Sequence, residues 1–212
     1  MTRLLSTGPG TGPVLILAHG AGAAMTSPFM ELIAALLAER GLAAARFEFA
    51  YMAARRDGGK RRPPPKAETV CPEYEAAIDA ARQRWPGRPL LIGGKSMGGR
   101  VASLIAEAAF TSGRCAGLVC LGYPFHPPRK PEQRRTSHLL ALSCPTLIVQ
   151  GDRDPFGTKA DVEALSLSGK IAFHWAGDGD HDLGPRGSSS FTRKGNLAAA
   201  ADAIVSFAAS RA

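Results

Sequence analysis

A short apolar run, Leu90-Leu91-Ile92-Gly93, leads directly into Gly94-Lys95-Ser96-Met97-Gly98, and an alanine-rich helical pattern from Met97 to Phe110 follows at once. Few folds accept that junction. A buried strand that becomes a helix without a loop must turn within one or two residues, and side chains two positions from the apex would collide with the turn. Gly94 and Gly98 leave that space open. The apex residue, Ser96, is then expected in strained backbone geometry with its hydroxyl above the sheet edge. The pattern G-x-S-x-G alone says little; between a strand and a helix it points to a nucleophile. The plainer alternative is an inert serine on a glycine-rich turn. A phosphate-cradling loop, G-x-x-x-x-G-K-S, shares Gly94-Lys95-Ser96. It fails because its first glycine would fall on Pro89 and its loop on the Leu90–Gly93 strand.

The rest of the chain repeats the alternation of apolar runs and helical patterns. Strands are expected at Val14–Ala18, Ala43–Phe49, Leu90–Gly93, Gly117–Gly122, Thr146–Gln150 and Ile171–Trp175. Helices are expected at Ser27–Arg40, Glu73–Trp85, Met97–Phe110, Lys159–Ser166 and Asn196–Ala209, the first with Pro28 in its opening turn and Gly41 as its stop. Arg55–Lys66 reads as a loop, because Gly58-Gly59 and Pro63-Pro64-Pro65 exclude helix and central strand. The expectation is an α/β fold of about six parallel strands with helices on both faces, one domain over residues 1–212. The connection from Tyr123 to Ser143 is too short for a large cap domain.

A serine nucleophile needs a base for its proton, and the base needs an orienting acid. At a turn of this kind the acid and then the histidine follow the serine along the chain. Of the five histidines, His19 and His126 are badly placed and His138, His174 and His181 lie downstream. His174 is inside a strand. His181 lies in the polar loop Gly177–Asp182 just past it, where an imidazole can reach across the top of the sheet, and is taken as the base. The acid should follow the Thr146–Gln150 strand, where both Asp152 and Asp154 are available. Asp154, held by Pro155, is preferred; Asp152 is expected to cap the loop or pair with a base. Asp178, Asp180 and Asp182 are read as loop-shaping and solvated. Two backbone amides should meet the charge that develops on a carbonyl oxygen. Met97, at the start of its helix, supplies one. Ala21, in His19-Gly20-Ala21-Gly22, supplies the other, with His19 shaping that loop.

Net charge is +8, and much of the excess is local. Arg55–Lys66 carries six basic residues against one acid, and Arg129–Arg135 carries four more. The first run follows a strand, so it should lie at the carboxyl edge beside Ser96. Arg55, Arg56, Arg61 and Arg62 are therefore candidates to hold an anionic group of a substrate, against the plainer reading of a solvated loop. No aromatic residue interleaves the run, so no nucleic-acid partner is expected. Cys71, Cys115, Cys120 and Cys144 form no CxxC pair and read as buried thiols; no metal or cofactor is expected. No signal peptide, transmembrane run or membrane association is expected, which places the protein in the cytoplasm.

Taken together, Val14–Gly22, Gly93–Arg100, Gly151–Gly157 and Gly179–Leu183 resemble small, capless α/β-hydrolases close to the dienelactone hydrolases. The nearer likeness is to a branch that includes a subunit of the animal non-specific-lethal chromatin complex. Four segments carry it: His19–Gly22, the Arg- and Pro-rich Arg55–Pro65, Gly94–Gly98 and Arg153–Gly157. The resemblance implies the α/β-hydrolase fold and a Ser96, Asp154, His181 triad. Ser96 stands where dienelactone hydrolases use cysteine, so their lactone substrate does not carry over. The expected function is a serine hydrolase acting on a small carboxylic ester, thioester or related acyl compound. A non-catalytic interaction module that keeps the hydrolase shell is the alternative from a different class.

Overall fold

The computed structural model describes residues 2–56, 58–60 and 63–211. Its centre is a seven-stranded sheet: β1 (Leu5–Thr7), β2 (Val14–Ala18), β3 (Ala43–Phe47), β4 (Leu90–Lys95), β5 (Gly117–Leu121), β6 (Thr146–Gly151) and β7 (Ile171–Ala176). The spatial order is β1-β3-β2-β4-β5-β6-β7. The six expected strands run parallel. The seventh, β1, was not expected: it is three residues long and pairs antiparallel with β3 at the sheet edge. So short a segment has too few residues for an alternating pattern to register.

Strands β2 to β6 are buried along their whole length, as parallel strands covered on both faces must be. Alternate residues feed two cores. Val14, Ile16, Ile92, Leu118 and Cys120 face one side, where α3 (Cys71–Arg84) and α4 (Met97–Thr111) pack. Leu15, Leu17, Leu91, Val119 and Leu121 face the other, against α1 (Pro28–Glu39) and α6 (Arg193–Ala209). Two short helices complete the set, α2 (Ala50–Arg56) and α5 (Lys159–Glu163), the latter opened by a Thr158–Asp161 capping box. Helix α2 corrects the expected Arg55–Lys66 loop, since Arg55 and Arg56 close its last turn.

The chain reverses its direction of growth at β2. From there β3 lies on one side and β4 on the other, so the carboxyl ends of β2 and β4 flank a crevice. The register Ala18↔Gly94 sets the loop after β2 beside the loop after β4. No helix among the described residues is long and apolar enough to cross a membrane.

Candidate active site

Ser96 links β4 to α4 with φ 52° and ψ −116°, a left-handed backbone that side chains rarely adopt. Such geometry costs about 1–3 kcal/mol and persists only where the surroundings enforce it. They do so here by contact. A Cβ on Gly94 would lie 2.6 Å from the Ala18 carbonyl oxygen, and one on Gly98 2.4 Å from the same atom. The turn is therefore pressed against the end of β2 as well as against itself. A serine at the start of a helix usually caps it through its hydroxyl. Ser96 makes no such bond; its Oγ lies 2.8 Å from His181 Nε2 instead.

His181 comes from the loop after β7. Asp180 folds that loop around its own carboxylate, which accepts from the Asp182 and Gly184 amides at 2.9 and 2.8 Å. Asp178 and Leu183, on either side of the histidine, both hold positive φ. Gly151 admits the loop, because a Cβ there would stand 2.3 Å from the Asp180 carbonyl oxygen. The His181 Nδ1 is 2.8 Å from Asp154 Oδ2. Asp154 is fully buried at the end of β6, and its carboxylate is satisfied on every side. Gln150 Nε2 donates to Oδ2 at 2.9 Å and the Phe156 amide donates to Oδ1 at 2.8 Å. A buried, hydrogen-bonded carboxylate fixes both the tilt of the ring and the nitrogen that carries the proton.

Asp152 plays the other part expected of it. Its Oδ2 accepts from the Asp178 amide at 2.9 Å, away from the imidazole. Asp178 departs from the expected solvated role. Its carboxylate is mostly buried and pairs with Arg153 and Arg186, each at 2.6 Å, and the pairing to Arg186 leads the causes that hold it well below the usual carboxylate range. His138 is remote from this chain of groups: its Nε2 meets Ser103 Oγ at 2.8 Å, and burial pushes its pKa down to about 4. His19 accepts from the Phe49 amide at Nε2 (3.2 Å), which leaves Nδ1 to donate to the Gly20 carbonyl at 2.7 Å. Burial lowers its pKa, so a neutral ring shapes the loop after β2.

Ala21 and Met97 flank Ser96 in a cleft of about 310 Å³ whose other walls include Pro64, Pro65, Pro124 and Phe156. Neither the Ala21 nor the Met97 amide donates a hydrogen bond to another described residue. Three supports escaped sequence reading. Gln150 was visible as one polar residue closing an apolar strand. Phe156 lays its ring 4.4 Å from that of His181, centroid to centroid. Lys95, buried, donates from Nζ to the His181 carbonyl at 2.8 Å and pairs with Asp182 at 3.2 Å.

Of the basic run, the described Arg55 and Arg56 do not line the Ser96 cleft, whereas Lys66 borders it. Arg55 borders a neighbouring groove with Tyr51, Met52 and Pro63, and Arg56 pairs with Glu48 on the side of a separate, larger groove. Neither lines the Ser96 cleft. Helix α2 carries both residues, and the groove that Arg55 borders adjoins the Ser96 cleft at Ala21 and Pro64. Arg61 and Arg62 lie outside the described residues. No cluster of side chains suited to a metal ion occurs among the described residues.

The alpha/beta hydrolase domain family matches residues 11–209. The chain belongs to that family. Several solved structures share the fold of this α/β hydrolase. A dienelactone hydrolase from Anabaena variabilis superposes with a TM-score of 0.72 at 21% identity, covering 98% of this chain and 92% of the other. Est1E from Butyrivibrio proteoclasticus, solved with ferulic acid bound, gives 0.70 at 14% identity over 99% and 95%. XC6422 from Xanthomonas campestris, described as a serine hydrolase without lid, gives 0.63 at 16% identity over 99% and 94%. At these identities the likeness establishes the fold alone.

Proposed function

We propose that this α/β hydrolase is a serine hydrolase of small carboxylic esters, thioesters or related acyl compounds, working through Ser96, His181 and Asp154. The observation that carries the reading is the unbroken hydrogen-bonded chain from the strained Ser96 hydroxyl through His181 to buried Asp154, with both links at 2.8 Å. A serine on a merely structural turn has no use for either link.

In this mechanism Ser96 Oγ attacks the substrate carbonyl carbon as His181 Nε2 takes its proton. Asp154 keeps Nδ1 protonated and stabilises the imidazolium that forms. The carbonyl oxygen becomes an oxyanion and accepts from the Ala21 and Met97 amides, which are free to donate. Collapse of the tetrahedral intermediate breaks the bond to the alcohol or thiol, which leaves with the proton from His181. Water then repeats the sequence on the acyl-Ser96 ester and releases the acid. The chemistry calls for neither metal nor cofactor. Four free thiols suit the cytoplasm, where we place the protein.

Within the family, His19–Gly22, Arg55–Pro65, Gly94–Gly98 and Arg153–Gly157 are the grounds for setting the chain beside the branch with a chromatin-complex subunit. The non-catalytic alternative drawn from that branch would leave the orientation of His181 without purpose. The test is labelling with a fluorophosphonate, which reacts only with an activated serine. Wild type should label and hydrolyse p-nitrophenyl acetate, Ser96→Ala should do neither, and Asp154→Asn should lose far more turnover than Asp152→Asn. A folded wild-type protein that does not label would sink the proposal.

A further inference from the structure

Two guanidinium groups that the catalytic scheme leaves unused stand in the Ser96 cleft. Arg100 lies one helical turn beyond the nucleophile on α4, and Arg135 comes from the connection after β5. Both line the same 310 Å³ space as Ser96, Ala21 and Met97. Lys66 also borders it, and among the described residues the single carboxylate there is Glu68. Among the described residues, three cations and one anion line a small cleft.

The arrangement is held in place. Arg100 Nη2 donates to Glu68 Oε1 at 2.5 Å, which fixes the guanidinium plane. Its Nε is buried and finds no hydrogen-bond partner among the described residues. Arg135 is anchored by both backbone groups: its amide donates to the Phe125 carbonyl at 2.8 Å, and its carbonyl accepts from Tyr123 Oη at 2.8 Å. Its half-buried guanidinium feels the charge of Glu68 but makes no direct ion pair or hydrogen bond with any described residue. Burial, and then the neighbouring Arg100 charge, lower the Arg135 pKa. Two like charges in one cleft, partly desolvated, repel each other, and Glu68, paired with Arg100, offsets that only in part at Arg135. An anion placed beside them relieves the repulsion and gives the Arg135 guanidinium an acceptor.

We infer that Arg100 and Arg135 form a carboxylate subsite, and that the substrates are small acyl compounds bearing a carboxylate besides the scissile bond. The inference rests on the serine-hydrolase reading of the same cleft. A carboxylate suits the planar forks of two arginines, which can each donate two parallel hydrogen bonds. The cleft volume is at the lower end for ligand sites and limits the substrate to a compact molecule. The two arginines of the subsite thus come from the Arg129–Arg135 run and from α4, and Lys66 is the described residue of the Arg55–Lys66 run that borders the same cleft.

The test pairs each anionic ester with a neutral one. Hydrolysis of p-nitrophenyl hemiadipate is set against p-nitrophenyl hexanoate, and meta-acetoxybenzoate against phenyl acetate. The pairs place the carboxylate on the acyl side and on the leaving group respectively. Wild type should favour the anionic member of at least one pair in kcat/KM. Arg135→Gln should lower that anionic-to-neutral ratio about tenfold or more, the usual effect of losing a charge-assisted hydrogen bond. Arg135→Glu should lower it further, and Arg100→Lys, which keeps charge but loses the fork, should lower it in part. High salt should erode the wild-type preference. Ratios that are the same in wild type and in both Arg135 variants would overturn the inference.

A second measurement does not depend on turnover. Adipate should bind the Ser96→Ala protein by titration calorimetry and fail to bind Ser96→Ala/Arg135→Gln. Inorganic phosphate should bind more weakly than adipate; tighter phosphate binding would overturn the carboxylate assignment. If fluorophosphonate fails to label Ser96, the hydrolase reading falls, and the calorimetry still decides whether the subsite exists.

Discussion

A lysine ammonium taken out of water needs compensating partners, and Lys95 has the His181 carbonyl, the Asp182 carboxylate and the face of the Phe29 ring. Burial lowers its pKa and Asp182 works against that shift. Because Asp182 follows His181 in the chain, one ammonium clamps the loop on both sides of the peptide that carries the imidazole. Lys95 is thus a positioning residue for the ring. Lys95→Met keeps the length and loses the donor. We expect kcat for a p-nitrophenyl ester to fall by about tenfold or more, since small misplacements of a catalytic group are costly. KM should move little and the thermal midpoint should stay close to wild type. A rise in KM with kcat intact would refute this role. His138 shows the opposite use of burial. Its ring is held neutral against Ser103, with a pKa of about 4 against an ordinary value of 6.5. Between those values the unfolded chain binds the proton that the folded chain refuses, so this contribution to stability is full above pH 6.5 and falls away toward pH 4. His19 and His174, also lowered by burial, act in the same direction. Replacing His138 by Gln should flatten the loss of thermal midpoint over that window; an unchanged slope would show that His138 does not drive it.

At the scale of elements, the site depends on how closely β4, α4 and the end of β2 approach one another. Gly98 lies in the first turn of α4, where a methyl group would meet the carbonyl oxygens of Ala18 and His19 at 2.4 and 2.6 Å. Both are backbone atoms and cannot swing aside. Gly98→Ala should therefore force α4 away from β2, lower the thermal midpoint by several degrees or prevent folding, and slow fluorophosphonate labelling of whatever folds. Gly22→Ala is the matched control, because nothing lies within 4 Å of a Cβ there. Equal stability of the two variants would disprove the contact argument. The same elements show what a reader of the sequence can extract. The β4–Ser96–α4 junction was legible because each part constrains the next: an apolar run, then glycines that sterics demand, then a helical pattern. Asp154 and His181 were legible because each closes a strand pattern in a polar loop. Strand β1 and helix α2 were not, being too short for periodicity to separate from loop. Nor was the groove that Arg55 and Arg56 each border. Arg55 and Arg56 were assigned by their place after β3, and only the formation of α2 decides where their side chains go. Arg100 and Arg135 are 35 residues apart in sequence, and nothing local links them to one cleft.

Over the whole molecule, the decisive feature is what covers the sheet edge. The connection from Tyr123 to Ser143 contributes Pro124 and Arg135 to the cleft and forms no helical cap; its one regular element is a 3-10 turn at Ser137–Leu139. The opposite wall comes from Pro64, Pro65 and Lys66, which pass over from α2 toward α3. The result is a site walled by loops, about 310 Å³ in volume. A long acyl chain would extend beyond these walls into water. Each methylene that stays solvated contributes nothing to binding, whereas burying one is worth about 0.8 kcal/mol. Binding should therefore improve with acyl length only while added methylenes find wall, and level off after that. We expect kcat/KM on p-nitrophenyl esters to be highest for acetyl to butyryl groups and lower for dodecanoyl, measured below the micellar concentration of the long ester. A steady rise in kcat/KM through dodecanoyl would mean that apolar wall closes over the substrate, and that the open cleft described by Pro124, Pro64 and Phe156 is not the form that binds it.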